Sequence, residues 1–518
     1  MLSSTLPSAL AERWLLVATS ISVLACALVG PKLIDQWRLY CIPIVAAELG
    51  NTEKRRQAYL AGSRKLYNQG YKKFQDSVFR ITTSRQADIV VVSPKFLPEL
   101  KKLSDSIVSM AAAVDETMET KYLKIETTVP IVPHTIKTSL TPALTRLNSL
   151  LAQEINEVLA IELPSSRDWA EVDVHEFLVR TVTMVSGRLF IGPELCRTPQ
   201  YIDTAINYTM DVMAAQRAVQ MLRPWQRPFA ASRLAQVKKL AQREKKASEF
   251  LLPIIKARQE AAKSPDYDKP DDMLEWILDA QSKFTDECSQ NIAKVQLGLS
   301  FAAIHTTTLT ATNALYDLVA LPDFIDELRE EAKKALAENE GVFTSAALQS
   351  MKKMDSFLKE TLRLHPATMA SFQRKVLQTF SLSNGQVIPA GVTIEVPAVS
   401  VNSDPEIFPN PDKFDPLRFY KLRETAKDSG SVEGAALNQF VSVSQNSLTF
   451  GFGRHTCPGR FFAANEIKMI LVNAVLRYDF KMPDGCTERF PNIEFAHMSI
   501  PDMKKLLARK IQDDLMFF

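Results

Sequence analysis

Cysteine is sparse in this chain: six residues in 518, widely scattered and never in a Cys-x-x-Cys pair. That pattern offers neither a zinc site nor a disulfide framework. Charge of one sign is lacking too. The balance of 62 Lys and Arg against 59 Asp and Glu leaves a formal net charge of +3, too mild to imply nucleic acid, and no basic stripe interleaved with aromatics is present. Length alone suggests roughly three domains, yet no glycine-, serine- or proline-rich linker divides the chain, so one large domain is expected. Internal repeats and flavin or nicotinamide signatures are also missing.

What is there begins with one apolar run. From Trp14 to Gly30 the chain is uncharged and mostly apolar, and Pro31, Lys32 and Arg38 follow. The run is slightly short of the roughly 20 residues of a spanning helix. Ala25 and Ala27 would suit signal cleavage; the positive charge after the run favours an uncleaved anchor with the rest of the chain on the cytosolic side. The expected layout is a tail over 1–12, an anchor helix over 13–31, a linker over 32–50 and a single domain over 51–518. Beyond the anchor the pattern is helix-rich with minor strands. An early hairpin is expected around residues 78 to 93, short strands around an Asn384-Gly385 turn between Phe380 and Pro397, and an exposed, charge-paired helix after Pro322.

One segment, Phe450 to Gly459, reads FGFGRHTCPG. Gly451 and Gly453 let a loop backbone approach a flat cofactor closely. Cys457 precedes Pro458, favoured at a first helical position, and an apolar run from Phe461 to Leu476. That order places Cys457 at a helix N-cap, where free N–H groups and the helix dipole would lower the thiol pKa. Taken alone, an ordinary free cysteine is the competing reading. Further upstream, Glu360 and Arg363 lie three apart on a helix ended by Pro366, so their side chains share one face. The same spacing at Glu53 and Arg56 reads as a solvated surface pair. From Leu299 to Leu315 a long apolar stretch carries threonines at 306, 307, 308, 310 and 312, whose hydroxyls can compete for backbone carbonyls and bend a buried helix.

The segment Phe450, Gly453, His455, Cys457 and Gly459 resembles the haem-binding signature of the cytochrome P450 monooxygenases, and its continuation GRFFAANE is similar to members of fungal secondary-metabolite pathways. The resemblance runs from about residue 50 to the C terminus. It implies a mainly α fold with small β-sheets and an N-terminal transmembrane anchor. It implies haem b, iron protoporphyrin IX, with Cys457 as axial iron ligand pushing electron density toward O–O cleavage. His455 stands where the family often has arginine and can still donate to a propionate; Lys137, with His134 nearby, stands in place of the family's tryptophan and arginine as a further propionate partner. Arg418 would complete a buried cluster with Glu360 and Arg363. Ala302, Ala303 and Thr306 match the oxygen-binding helix, with His305 replacing the usual carboxylate and able to shuttle protons near neutral pH.

By the same resemblance, Phe301, Ala302, Ala303, Met369, Phe372 and His497 would line a mostly apolar pocket for a bulky hydrophobic substrate. The implied activity is reductase- and NADPH-dependent monooxygenation of a terpenoid or indole/meroterpenoid intermediate, with a polyketide as the other substrate class. The implied partner is a separate NADPH–cytochrome P450 reductase docking over Arg454 and Arg460. The implied place is the endoplasmic reticulum membrane. A peroxide-using or rearranging haem enzyme and a non-catalytic haem sensor are the alternatives from other classes.

Overall fold

The computed structural model describes residues 6–284 and 292–511; residues 1–5 of the expected tail and 512–518 of the expected domain lie outside the described residues. A helix runs Leu6–Cys41, through Pro31 and across most of the stretch read as a linker. It continues because Leu33, Ile34, Trp37 and Tyr40 recur at helical spacing and Asp35 pairs with Arg38 at 3.2 Å within one turn. The part Leu16–Cys41 is long and apolar enough to cross a membrane, with mean hydropathy 1.8 and none of that window buried. Asn51 then caps the helix Thr52–Lys73 by accepting from the Lys54 N–H at 2.8 Å.

The expected early hairpin is Val78–Thr82 against Asp88–Val92, paired antiparallel from Val78 with Val92 to Thr82 with Asp88. These strands open a five-stranded sheet continued by Thr393–Val396, Ser371–Val376 and Val108–Ser109. Phe380–Ser381 and Val387–Ile388 close the Asn384-Gly385 turn, where Gly385 takes φ 84°. The charge-rich segment after Pro322 is the helix Pro322–Ala337.

The rest is a helical body around one element. The central helix Ile292–Val319 is apolar nearly all round, and such a helix is stable only when covered. It is packed by Val174–Phe190, by the roof helix Pro199–Met221, and by Lys352–Leu364 and Arg460–Arg477. Its C-terminal half also fixes both ends of the hairpin Asn492–Phe495 and Met498–Pro501. Asp317 is bonded to the Arg489 guanidinium, whose Nη2 donates to Asn313 Oδ1 at 2.6 Å. The Tyr316 hydroxyl accepts from the Lys504 N–H at 3.0 Å on the far side of the hairpin. Burial pushes the Asp317 carboxyl up, but His365 and Arg489 more than offset this and hold it below its ordinary range.

Candidate active site

The cysteine loop owes its path to two glycines. Gly451 and Gly453 take φ 80° and 74°, and a Cβ on Gly453 would crowd the Lys101 side chain at 3.2 Å. The loop folds back so that the Cys457 N–H donates to Phe450 O at 2.8 Å, while the Phe450 ring packs edge-on to Phe440. The helix beyond begins at Arg460 with Gly459 as its N-cap. Cys457 therefore precedes the expected cap position, and Pro458 lies in the turn before the helix. The helix-end chemistry survives in altered form: the amides of Gly459 and Arg460 still hydrogen-bond toward the sulfur. The thiol pKa is raised rather than lowered, because burial outweighs those amides and the Arg460 charge. Cys457 is at once reachable and crowded: its surface is exposed, yet enough protein surrounds the sulfur to desolvate it.

Opposite in character is one turn of the central helix. Along its whole length only Ala302 and Thr306 are exposed, although the helix lies in the middle of the molecule. They stand four apart on one face, so they form a single opening. The Thr306 hydroxyl donates back to Ala302 O at 2.8 Å, and Thr308 and Thr310 repeat that bond to Ile304 and Thr306, the competition expected of threonines in a helix. His305 faces elsewhere. Its Nε2 lies 2.8 Å from Ile206 O on the roof helix; a carbonyl only accepts, so Nε2 carries the proton. Burial lowers its pKa, and no hydrogen bond joins it to Thr306. Phe301 packs edge-on to Tyr208 at 6.4 Å, a second contact with the roof helix.

A third group comes from the sheet. In Ser371–Val376 alternate residues are buried, which places Phe372, Arg374 and Val376 on the inner face. Arg374 is 5 % exposed and forms no ion pair among the described residues. Its only hydrogen bond among the described residues is from Nη1 to Gln373 O, at 2.7 Å, and its guanidinium lies 4.2 Å from the centre of the Phe372 ring. Burial pushes its pKa down to about 10. Phe372 has φ 56° and the pairing register shifts there, a bulge of the kind that re-aims a side chain. Phe372, Arg374, Phe452, Arg454 and His455 line one cavity. His455 Nε2 lies 3.1 Å from Asp105 and Arg454 Nη2 2.8 Å from the same carboxylate. One carboxylate among three such groups leaves the corner rich in donors and poor in negative charge. A flat cofactor with two carboxylates beside Cys457 fits that donor set. Arg374 was not singled out from sequence; the available signal was a charge at a core position of an alternating strand. Lys137 is exposed on the wide turn Ile136–Leu140, without a carboxylate partner among the described residues.

Glu360, Arg363 and Arg418 do come together, fully buried. Arg363 grips Glu360 with two bonds of 2.8 Å, Arg418 Nε reaches both oxygens at 3.1 Å, and the Asp415 N–H adds a fourth donor at 3.0 Å.

The expected pocket residues divide. Ala302 is open, whereas Ala303 packs into the main core. Met369 is fully buried against Tyr59 and Tyr67, and its neighbour Thr368 is the exposed one; one step along an extended chain reverses the face. Phe372 belongs to the core of the sheet. The His497 carbonyl accepts from the Met369 N–H at 2.8 Å, and burial lowers the pKa of its ring.

Residues 57–506 match the family model of cytochrome P450. The chain is 42 % identical over 426 residues to the cytochrome P450 monooxygenase ATR3 of Stachybotrys chlorohalonatus, covering 82 % of this chain and 89 % of that one. It is 31 % identical over 501 residues to the monooxygenase braC of Annulohypoxylon truncatum, covering 96 % and 98 %, and 36 % identical to BOA4 of Botryotinia fuckeliana, covering 82 % and 84 %. The chain belongs to the cytochrome P450 family and is an oxidoreductase of the monooxygenase type.

Proposed function

We propose that this cytochrome P450 inserts one atom of O2 into a bulky hydrophobic substrate of fungal secondary metabolism, a terpenoid or indole/meroterpenoid intermediate, with a polyketide as the other class. The observation that carries this reading is the pairing of an exposed cysteine at a helix start with a single opening, Ala302 and Thr306, in the helix packed beside it. Cys457 would hold haem b as the iron ligand, and Arg374, His455 and Lys137 would meet its propionates. Once bound, haem supplies O2 activation and oxygen-atom transfer.

The side chains themselves do the remaining work. The amides of Gly459 and Arg460 temper charge on the Cys457 sulfur. Thr306 presents a hydroxyl at the opening and donates its hydrogen bond to Ala302 O, so releasing that bond frees it as a donor toward the reacting oxygen. Tyr208 and Phe301 close the roof against water. Asp317, Arg489 and Tyr316 position the hairpin that carries His497. His305 ties the roof helix to the same turn through Ile206 O. Electrons would come from a separate NADPH–cytochrome P450 reductase over the cysteine side, where Arg460 lies 4.4 Å from the Phe461 ring and Arg454 is bonded to Asp105. The helix Leu6–Cys41, containing the anchor of residues 13–31, would hold the domain of residues 51–518 on the cytosolic face of the endoplasmic reticulum.

One observation favours a second reading. His305 occupies the place of an acid but is committed to Ile206 O, so a peroxide-using enzyme, which needs less proton delivery, is the alternative. Incubation with reductase, NADPH and a panel of terpenoid and polyketide scaffolds tests the proposal. Substrate-dependent NADPH consumption with an oxygenated product supports it; product formed from peroxide alone and never from NADPH overturns it.

A further inference from the structure

The roof helix Pro199–Met221 carries a stripe that, past Ile206, is left largely exposed among the described residues. Ile206, Met210, Arg217 and Met221 recur at helical spacing, with Ala214 beside them. At one end Ile206 packs against the core that holds the central helix, beside the turn of Phe301 to Thr306. Farther along the same face Met210 is 56 % and Met221 87 % exposed. Arg217 lies eleven residues beyond Ile206, about 16 Å along the axis, and is the one charge in the stripe.

Across from it stands the hairpin tip. Ile493 and Phe495 share one face of Asn492–Phe495, and both are exposed. The Arg217 guanidinium lies 5.6 Å from the centre of the Phe495 ring. The tip is held in place: Met498 bridges Thr368, Ser499 N–H donates to Ala367 O at 3.1 Å, and Ala496 N–H donates to Leu60 O at 3.1 Å. The nearest carboxylate in sequence, Glu494, points to the other face, where Arg64 takes it at 2.6 Å. Among the described residues no carboxylate lies within ion-pair range of Arg217. A cation fixed over an aromatic ring, in an apolar rim and without a counter-charge, is a receptor for an anionic head on an apolar body, and a guanidinium suits a carboxylate because two N–H groups can bind its two oxygens.

We propose that Arg217 receives a carboxylate of the substrate at the end remote from the oxidised carbon, with the apolar body running from this rim toward Thr306. This rests on the monooxygenase reading above and narrows its substrate to an amphiphilic acid. Arg217 is thus a specificity-determining residue, and the Phe495 ring positions it.

The test needs no knowledge of the natural substrate. Imidazolyl-alkanoic acids and the matching imidazolyl-alkanols, in a ladder of chain lengths, are titrated into the full chain with haem in phosphatidylcholine nanodiscs, and nitrogen ligation is read from the Soret shift. At the best length the acid binds about tenfold tighter than the alcohol. That ratio falls to about one in Arg217→Met and inverts in Arg217→Glu, while Arg217→Lys keeps part of it. Equal binding of acid and alcohol by the wild type, or a ratio unchanged in Arg217→Met, overturns the assignment. A preference erased by adding phosphatidylserine to the disc assigns the anion to a lipid head and also overturns it. Failure of every probe to shift the Soret band of a haem-loaded chain overturns this inference, while the haem-thiolate reading is tested separately by the ferrous–carbon monoxide spectrum.

Discussion

Two buried guanidinium sites, with Arg363 and Arg374 eleven residues apart in sequence, are built on opposite terms. At Glu360 the polar groups are matched: four donors converge on one carboxylate, and the remaining guanidinium nitrogens of Arg363 and Arg418 find backbone acceptors, with Nη1 of each donating to Asn402 O and Pro409 O at 2.7 Å. At Arg374 an equally buried cation has, among the described residues, one backbone acceptor and no carboxylate in ion-pair range, Asp105 acting on it only through longer-range charge. The first arrangement is complete without a ligand and can only hold the fold. The second is costly as it stands, since an unpaired buried charge is destabilising, and it becomes favourable only when an anion arrives. Unmatched groups, rather than buried charge as such, mark the place where something binds.

Substitution should separate the two sites by sign. Glu360→Ala leaves two buried cations unpaired and should cost about 3–5 kcal/mol of stability. Chemical denaturation of the apoprotein measures this, and a loss below about 1 kcal/mol would remove the contrast. Arg374→Met should leave the apoprotein at least as stable as wild type while haem transfer to an acceptor protein speeds up severalfold. A destabilised apoprotein with unchanged haem retention would show Arg374 to be a structural residue like Arg363.

Some of this division was legible in the sequence and some was not. The Glu360–Arg363 pair and the loop from Phe450 to Gly459 are local patterns, in which spacing alone brings side chains together. Arg418, fifty-five residues beyond Arg363, became legible only through family resemblance. Arg374, the Asp317–Arg489 tie and the Arg217–Phe495 contact depend on which distant segments pack, which periodicity does not encode. Smaller misses are errors of one or two residues: the helix cap is Gly459 and not Cys457, because two amides turn toward the sulfur first, and Thr368 rather than Met369 is exposed. The N-terminal helix outran its expected end at residue 31 because helical spacing of apolar residues continues past Pro31.

Thr306 extends the comparison to a hydroxyl that is only half used. Thr306→Ala should raise hydrogen peroxide release severalfold relative to product, measured as coupling of NADPH consumption; unchanged coupling would leave Ala302 and Thr306 as a mere gap in packing. The smallest effect belongs to Glu466, a fully buried carboxyl whose one side-chain partner among the described residues is the Ser186 hydroxyl at 2.8 Å. Burial pushes its pKa up to about 8. The folded chain therefore keeps this proton at pH values where the unfolded chain has lost it, and stability from this group falls as pH rises from the ordinary carboxyl range toward about 8. Glu466→Gln should flatten the decline in Tm over that window; an identical slope in both proteins would show that the carboxyl titrates normally.

The most direct test of the central claim is the ferrous–carbon monoxide spectrum of the full chain beside that of Cys457→His. A long-wavelength Soret band typical of thiolate ligation in the wild type, lost in the variant while haem is still bound, is the predicted result. The same band in both proteins, or its absence from a haem-loaded wild type, would contradict the assignment of Cys457.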